Sequence, residues 1–204
     1  MIRVDYTKAA FKLVILMSLI YLFGSALDAS SAYYIGDDKW YVNTVQVNYS
    51  SLPDDWKRPA YNSMVTWNHV GANVTLVNRT MINHVTIEIA SSEFVFSDPD
   101  YLAEEFNTRG QYNSTTQKYD KVFSEIYINP NYSWSTEDVC PPNHYDVQSV
   151  ITHELGHTLC IGHSNIHDTT MHDTIPKGST RKRILSTDDQ DALKAIYPFI
   201  NEMI

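Results

Sequence analysis

The chain is 204 residues long with a formal net charge of −9 at pH 7. That length suits one compact domain. The acidic balance argues against nucleic acid as a partner and suits a soluble, exported protein.

Arg3, Lys8 and Lys12 open the chain. An apolar run over 13–23 follows, then small residues through Ala32. Charged, apolar and small-residue segments in that order are the layout of a secretory signal. The run is shorter than the ~20 residues that span a bilayer. Residues 1–32 are therefore expected to be a signal peptide, cut after Ala32 or else after Ala26. The alternative is an uncleaved anchor, because extension from Leu13 to Leu27 nears the lower span limit. In both cases residues 33–204 form the domain and face outward, secreted or anchored, and a monomer is expected.

Residues 44–49 alternate as a strand. Pro53, Asp54 and Asp55 open a helix through Trp56, Tyr61, Met64, Val65 and Trp67. Runs at 73–77 and 84–89 alternate again. Residues 101–106 read as a short helix or a loop, and the polar stretch 109–117 reads as an exposed loop. Residues 122–128 make the last strand. Val147, Val150, Ile151, Leu155 and Leu159 recur at helical spacing, with Asp146 placed to cap that helix. Lys177, Arg181, Lys182 and Arg183 read as a solvated basic patch. Thr187 and Gln190 suggest a capping box before Ala192, Leu193 and Ile196. Asn48, Asn73, Asn78, Asn113 and Asn131 head N-x-S/T sequons, which permit glycosylation.

The chemistry concentrates at 153–163. His153-Glu154-Leu155-Gly156-His157 is an H-E-x-x-H run. Residues four apart share a helix face, so the two imidazoles can aim at one metal ion while Glu154 stands beside it. Gly156 costs the helix about 1 kcal/mol against alanine and must serve another demand. Catalytic zinc takes three protein ligands and keeps one open position. Glu202, the only later glutamate, sits too near the C-terminus to supply the third. His163 stands where it is needed if the chain turns after the helix, and Gly162 is available to help that turn. His167 and His172 read as loop residues, because three ligands complete the set. His69, His84 and His144 read as structural or exposed.

His153 to His163 resembles the metzincin motif H-E-x-x-H-x-x-G-x-x-H, and Ser164 is the mark of its matrixin branch. Met171 sits at matrixin spacing for the methionine turn. Leu185-Ser186-Thr187-Asp188-Asp189-Gln190 and Ala195-Ile196-Tyr197 are similar to the last matrixin helix, and 124–129 to the strand before the active-site helix. The resemblance is specific over 124–198. It implies an α/β (α+β) fold: a twisted mixed sheet with an active-site helix, a Met-turn and a C-terminal helix. It implies a zinc endopeptidase acting on peptides or proteins, with His153, His157 and His163 on zinc, Glu154 as general base and Met171 as a non-ligating floor. It places the peptide-binding edge strand at 122–129. Structural calcium is common in the family, which raises the possibility without locating a site; acid pairs such as Asp54 with Asp55 or Asp98 with Asp100 could bind it, but most such pairs are solvated turns. A secreted zinc-binding module without turnover is the other function class.

The departures are specific. Cys160 replaces the motif glycine, at about 1–2 kcal/mol if that backbone is left-handed. His172-Asp173 follows the methionine, where the family usually has tyrosine and proline. The histidine-rich loop and the cysteine switch have no counterpart, so a minimal, microbial-type member is expected. In an exported chain Cys140 and Cys160 invite a disulfide; two free thiols are the alternative.

Overall fold

The computed structural model describes residues 33–81 and 83–199, so the expected leader lies outside the described residues. Val45 and Val47 are fully buried with Gln46 turned away between them, which makes β3 (Thr44–Asn48) a strand with one core face. β1 (Tyr33–Ile35) and β2 (Asp38–Trp40) precede it. β3 pairs in parallel with β4 (Thr75–Asn78) on one side and β5 (Val85–Ile89) on the other. β5 pairs in parallel with the C-terminal half of β7 (Lys118–Ile128), and β2 takes the N-terminal half, with Trp40 opposite Lys121. Parallel neighbours need a crossover, and α1 (Asp54–Asn68) supplies the one between β3 and β4. The helix begins after Pro53 with two acids in its first turn.

β6 (Ala103–Asn113) runs antiparallel along the other side of β7, from Ala103 opposite Ile128 to Asn113 opposite Lys118. Two expectations are corrected here. Residues 101–106 and 109–117 are not a short helix and a loop but the edge strand of a hairpin and its turn. The strand at 122–129 is interior, so the free sheet edge belongs to β6. The outer half of β6 is exposed on both faces, and its side chains had no core to alternate against. Cross-strand contacts hold it instead: the Tyr112 and Tyr119 rings are 5.3 Å apart, and Arg109 lies over Tyr119.

β8 (Trp134–Ser135) and β9 (Tyr145–Asp146) form a small parallel pair just before α2 (Val147–Thr158). α1 lies against α2, where the Trp67 indole donates to the carbonyl of Thr152 at 2.8 Å. β10 (Ile161–Ser164) pairs antiparallel with β1. α3 (Thr187–Ile196) closes the fold, and its capping box joins Ser186 to Asp189, one residue earlier than expected. Half of the basic patch is solvated as expected: Lys177 and Arg181 are exposed, but Lys182 and Arg183 are not. Lys182 is buried and donates to the carbonyl of His172, and the Arg183 guanidinium grips Asp146, with Nε 2.9 Å from Oδ2. These two residues staple the segment after Met171 to the start of α2.

Candidate metal centre

α2 owes its start to Asp146, whose buried carboxylate accepts the Ser149 N–H at 2.8 Å. Val147, Val150, Ile151 and Leu155 are completely buried on its core side. His153 and His157 project beside that face into a cleft. After the helix the backbone reverses at Cys160, whose φ is +70°. The left-handed turn therefore falls on the cysteine. Gly162 does not share it; it lies in β10, where a Cβ would meet Tyr34 Cδ1 at 2.7 Å on the neighbouring strand. The turn returns His163 to the helix.

The three imidazoles converge. His157 Nε2 lies 3.2 Å from Nε2 of His153 and 3.2 Å from Nε2 of His163. The donors all fall within 4.8 Å of one another, the only such group of three or more among the described residues. A tetrahedral zinc ion at about 2.0–2.1 Å from each nitrogen would set neighbouring nitrogens about 3.3 Å apart. The second nitrogens settle the protonation. Nδ1 of His153 is 2.7 Å from the carbonyl of Thr170, and Nδ1 of His157 is 2.9 Å from that of Ile161. A carbonyl only accepts, so both Nδ1 atoms carry the proton and both Nε2 atoms present lone pairs. Lone pairs facing at this distance repel unless a cation sits between them. The donor set fits zinc.

The next layer holds the Thr170 carbonyl in place. Asp189 of α3 accepts the N–H of Thr170 at 2.9 Å and that of Met171 at 3.0 Å, besides capping its own helix. Met171 is fully buried beneath the histidines, and its carbonyl accepts the Ser164 N–H at 2.9 Å. Gly156 answers the demand its helix cost implied: a Cβ there would lie 2.2 Å from Met171 Sδ and 3.0 Å from Trp67 Cζ2. Ser164 Oγ donates to Asp188 at 2.7 Å.

Burial sets the charges. It holds His153 well below the ordinary imidazole range, with neighbouring cations adding to the effect, and it draws His157 down to about 4. Burial, then the carboxylates of Glu105 and Glu104, push Glu154 up to about 8. Lys182 is lowered to about 8 by burial. A divalent cation at the three nitrogens would favour ionised Glu154.

The expected disulfide does not form. Cys140 and Cys160 are both free and buried. Cys140 Sγ lies 3.3 Å from the His144 carbonyl before α2, and Cys160 Sγ lies 3.9 Å from the Tyr197 hydroxyl beyond its end. The helix between them is 12 residues long, about 18 Å at 1.5 Å per residue, and a disulfide needs Cα atoms within about 7 Å. His167 and His172 do not belong to the three-histidine group; their rings are 4.9 Å apart in the loop around Met171. Neither acid pair proposed for calcium belongs to a three-ligand group. Asp54 pairs with Lys57, and Asp98 accepts the Asp100 N–H in a turn.

The histidines open into a cleft of ≈770 Å³ that Glu154 also lines, flanked by Ala103, Glu104 and Glu105 of β6 and by Asp173, Thr174 and Ile175 after Met171. Sequence comparison agrees with this geometry. The chain is 26% identical over 172 residues to Metalloendoproteinase 1 of Glycine max, covering 78% of this chain and 52% of that protein. It is 40% identical over 52 residues to Metalloendoproteinase 2-MMP of Arabidopsis thaliana, 26% of this chain and 14% of that one. The chain thus spans about half the length, or less, of these relatives. Both relatives are plant proteins. Residues 30–198 match the matrixin profile, so the chain belongs to the matrixin family, peptidase family M10.

Proposed function

We propose that this protein is a zinc-dependent endopeptidase that hydrolyses peptide bonds of extracellular proteins. The observation that carries it is the convergence of three imidazole nitrogens beside a buried carboxylate, in a cleft flanked by a free sheet edge. His153, His157 and His163 hold the ion. When bound, zinc supplies Lewis acidity, which polarises the scissile carbonyl and makes water a nucleophile near neutral pH. Glu154 takes the proton of the attacking water and passes it to the leaving amine. Met171 fills the floor and ligates nothing.

The peptide lies extended along β6, which pairs only with β7 among the described residues. Main-chain pairing to a free edge holds a peptide with little demand on its side chains. Residues 1–32 serve as the signal for export, in keeping with a family that is generally extracellular.

Two measurements test this reading. A quenched peptide library should be cleaved by the zinc-loaded protein and spared after chelation. Glu154→Ala should lose roughly 10²–10⁴-fold in turnover and keep one zinc per chain. Zinc binding with no cleavage by the wild type would favour the zinc-binding module. Substantial residual turnover in Glu154→Ala would remove this residue from the proton-transfer role.

A further inference from the structure

A buried ion pair joins the sheet edge to the metal helix; it carries no proton itself, although its Glu105 carboxylate is one of the groups that raise Glu154. Lys121 of β7 has a side chain 1% exposed, and Glu105 of β6 one that is 7% exposed, with Nζ 2.7 Å from Oε1. The same ammonium donates to the carbonyl of the ligand residue His157 at 3.1 Å. Ser124 donates its hydroxyl to the same carboxylate oxygen and lies 3.2 Å from the hydroxyl of Thr158. Trp40 closes the group: its ring lies under Nζ at 5.9 Å, and its Nε1 donates to the Thr158 carbonyl at 2.8 Å.

Stability is a poor reason for such a pair. Two charges taken out of water lose hydration that their attraction barely restores, and apolar residues of like volume often do as well. Geometry is a better reason. The last carbonyls of a helix have no donors within it, and a cation at that end is favoured. The His157 carbonyl already accepts the Cys160 N–H of the following turn at 2.8 Å, and Lys121 adds a charged donor there. Glu105 fixes the ammonium from the strand whose other edge is free. Strand, cation and ligand backbone are thereby held at set distances.

We propose that Glu105 and Lys121 are positioning residues that keep the peptide-binding edge in register with His157; this rests on the peptidase reading for the edge strand, but not for the metal. The test uses the full chain with Glu105→Leu and Lys121→Met combined, because either change alone strands a buried charge and can unfold the protein. Three quantities are measured: the thermal midpoint, zinc affinity by competition with a chromophoric chelator, and kcat and KM on a quenched peptide.

The expected result is a midpoint within a few degrees of wild type, zinc affinity weakened about tenfold, and kcat/KM reduced about tenfold or more, with KM raised. Wild-type zinc affinity and kinetics in a stable double variant would overturn the proposal, since the pair would then only fill space. A midpoint far below wild type would overturn it too, by making the pair a stability element. If the wild type cleaves no peptide, the peptidase reading fails separately and zinc affinity alone decides: a tenfold loss supports the pair's role at His157, and no change ends it.

Discussion

A single carboxyl group gives the metal-free protein a distinctive response to pH. Glu154 is held near 8 when folded, against an ordinary value of 4.5. Between those values the folded state keeps a proton that the unfolded chain has lost, so stability falls as pH rises. The histidines act oppositely. His153, His157 and His163 are all lowered from 6.5. Below 6.5 the unfolded chain therefore binds protons that the folded state refuses, and stability rises with pH. Three imidazoles outweigh one carboxyl below 6.5, and Glu154 acts alone among these four from 6.5 to 8. The zinc-free wild type should lose thermal stability from pH 6.5 to 8, and Glu154→Gln should lose less. Parallel melting curves over that interval would sink the assignment of a raised Glu154. The triad itself was legible, because helical spacing aligned two histidines and only one later residue was close enough to be third. The roles of Glu105 and Lys121 were not legible, because residues 16 apart on adjacent strands carry no local signal.

Among the elements, α3 has an influence beyond its length. One carboxylate, Asp189, caps it and also receives two N–H groups of the turn that positions the His153 carbonyl partner. Asp189→Ala would leave those buried donors unpaired, at about 1–3 kcal/mol each. A loss of about 2–4 kcal/mol in urea unfolding is expected, together with weaker zinc binding. A loss within 0.5 kcal/mol would show that the turn stands without it. The boundaries of α1 and α2 were within two residues of expectation, since both have a core face and a marked start. β6 was misread because its outer half is exposed on both faces and has no buried side to impose a period of two. Lys182 and Arg183 were misread for a related reason: charge alone says solvent, whereas the His172 carbonyl and Asp146 that accept them are distant in sequence.

For the whole molecule, the ion is part of the fold. α2 and β10, joined through the Cys160 turn, meet at three Nε2 atoms, and a bound cation would tie them together. Zinc at 100 times its dissociation constant would add about 2.7 kcal/mol. For a domain of this size that corresponds to a rise of roughly 5–10 °C in the melting midpoint. Chelation should reverse the gain and re-addition restore it, as read by calorimetry. A midpoint indifferent to chelator would mean the site contributes nothing to stability.

The two thiols offer a use the chemistry does not require. Each is almost wholly shielded, one before α2 and the other just past its end. An alkylating reagent reaches either sulfur only when its surroundings open, so the rate of labelling becomes a clock for local breathing. Mass spectrometry of the two tagged peptides would show which end of the helix loosens first, with no probe added to the chain.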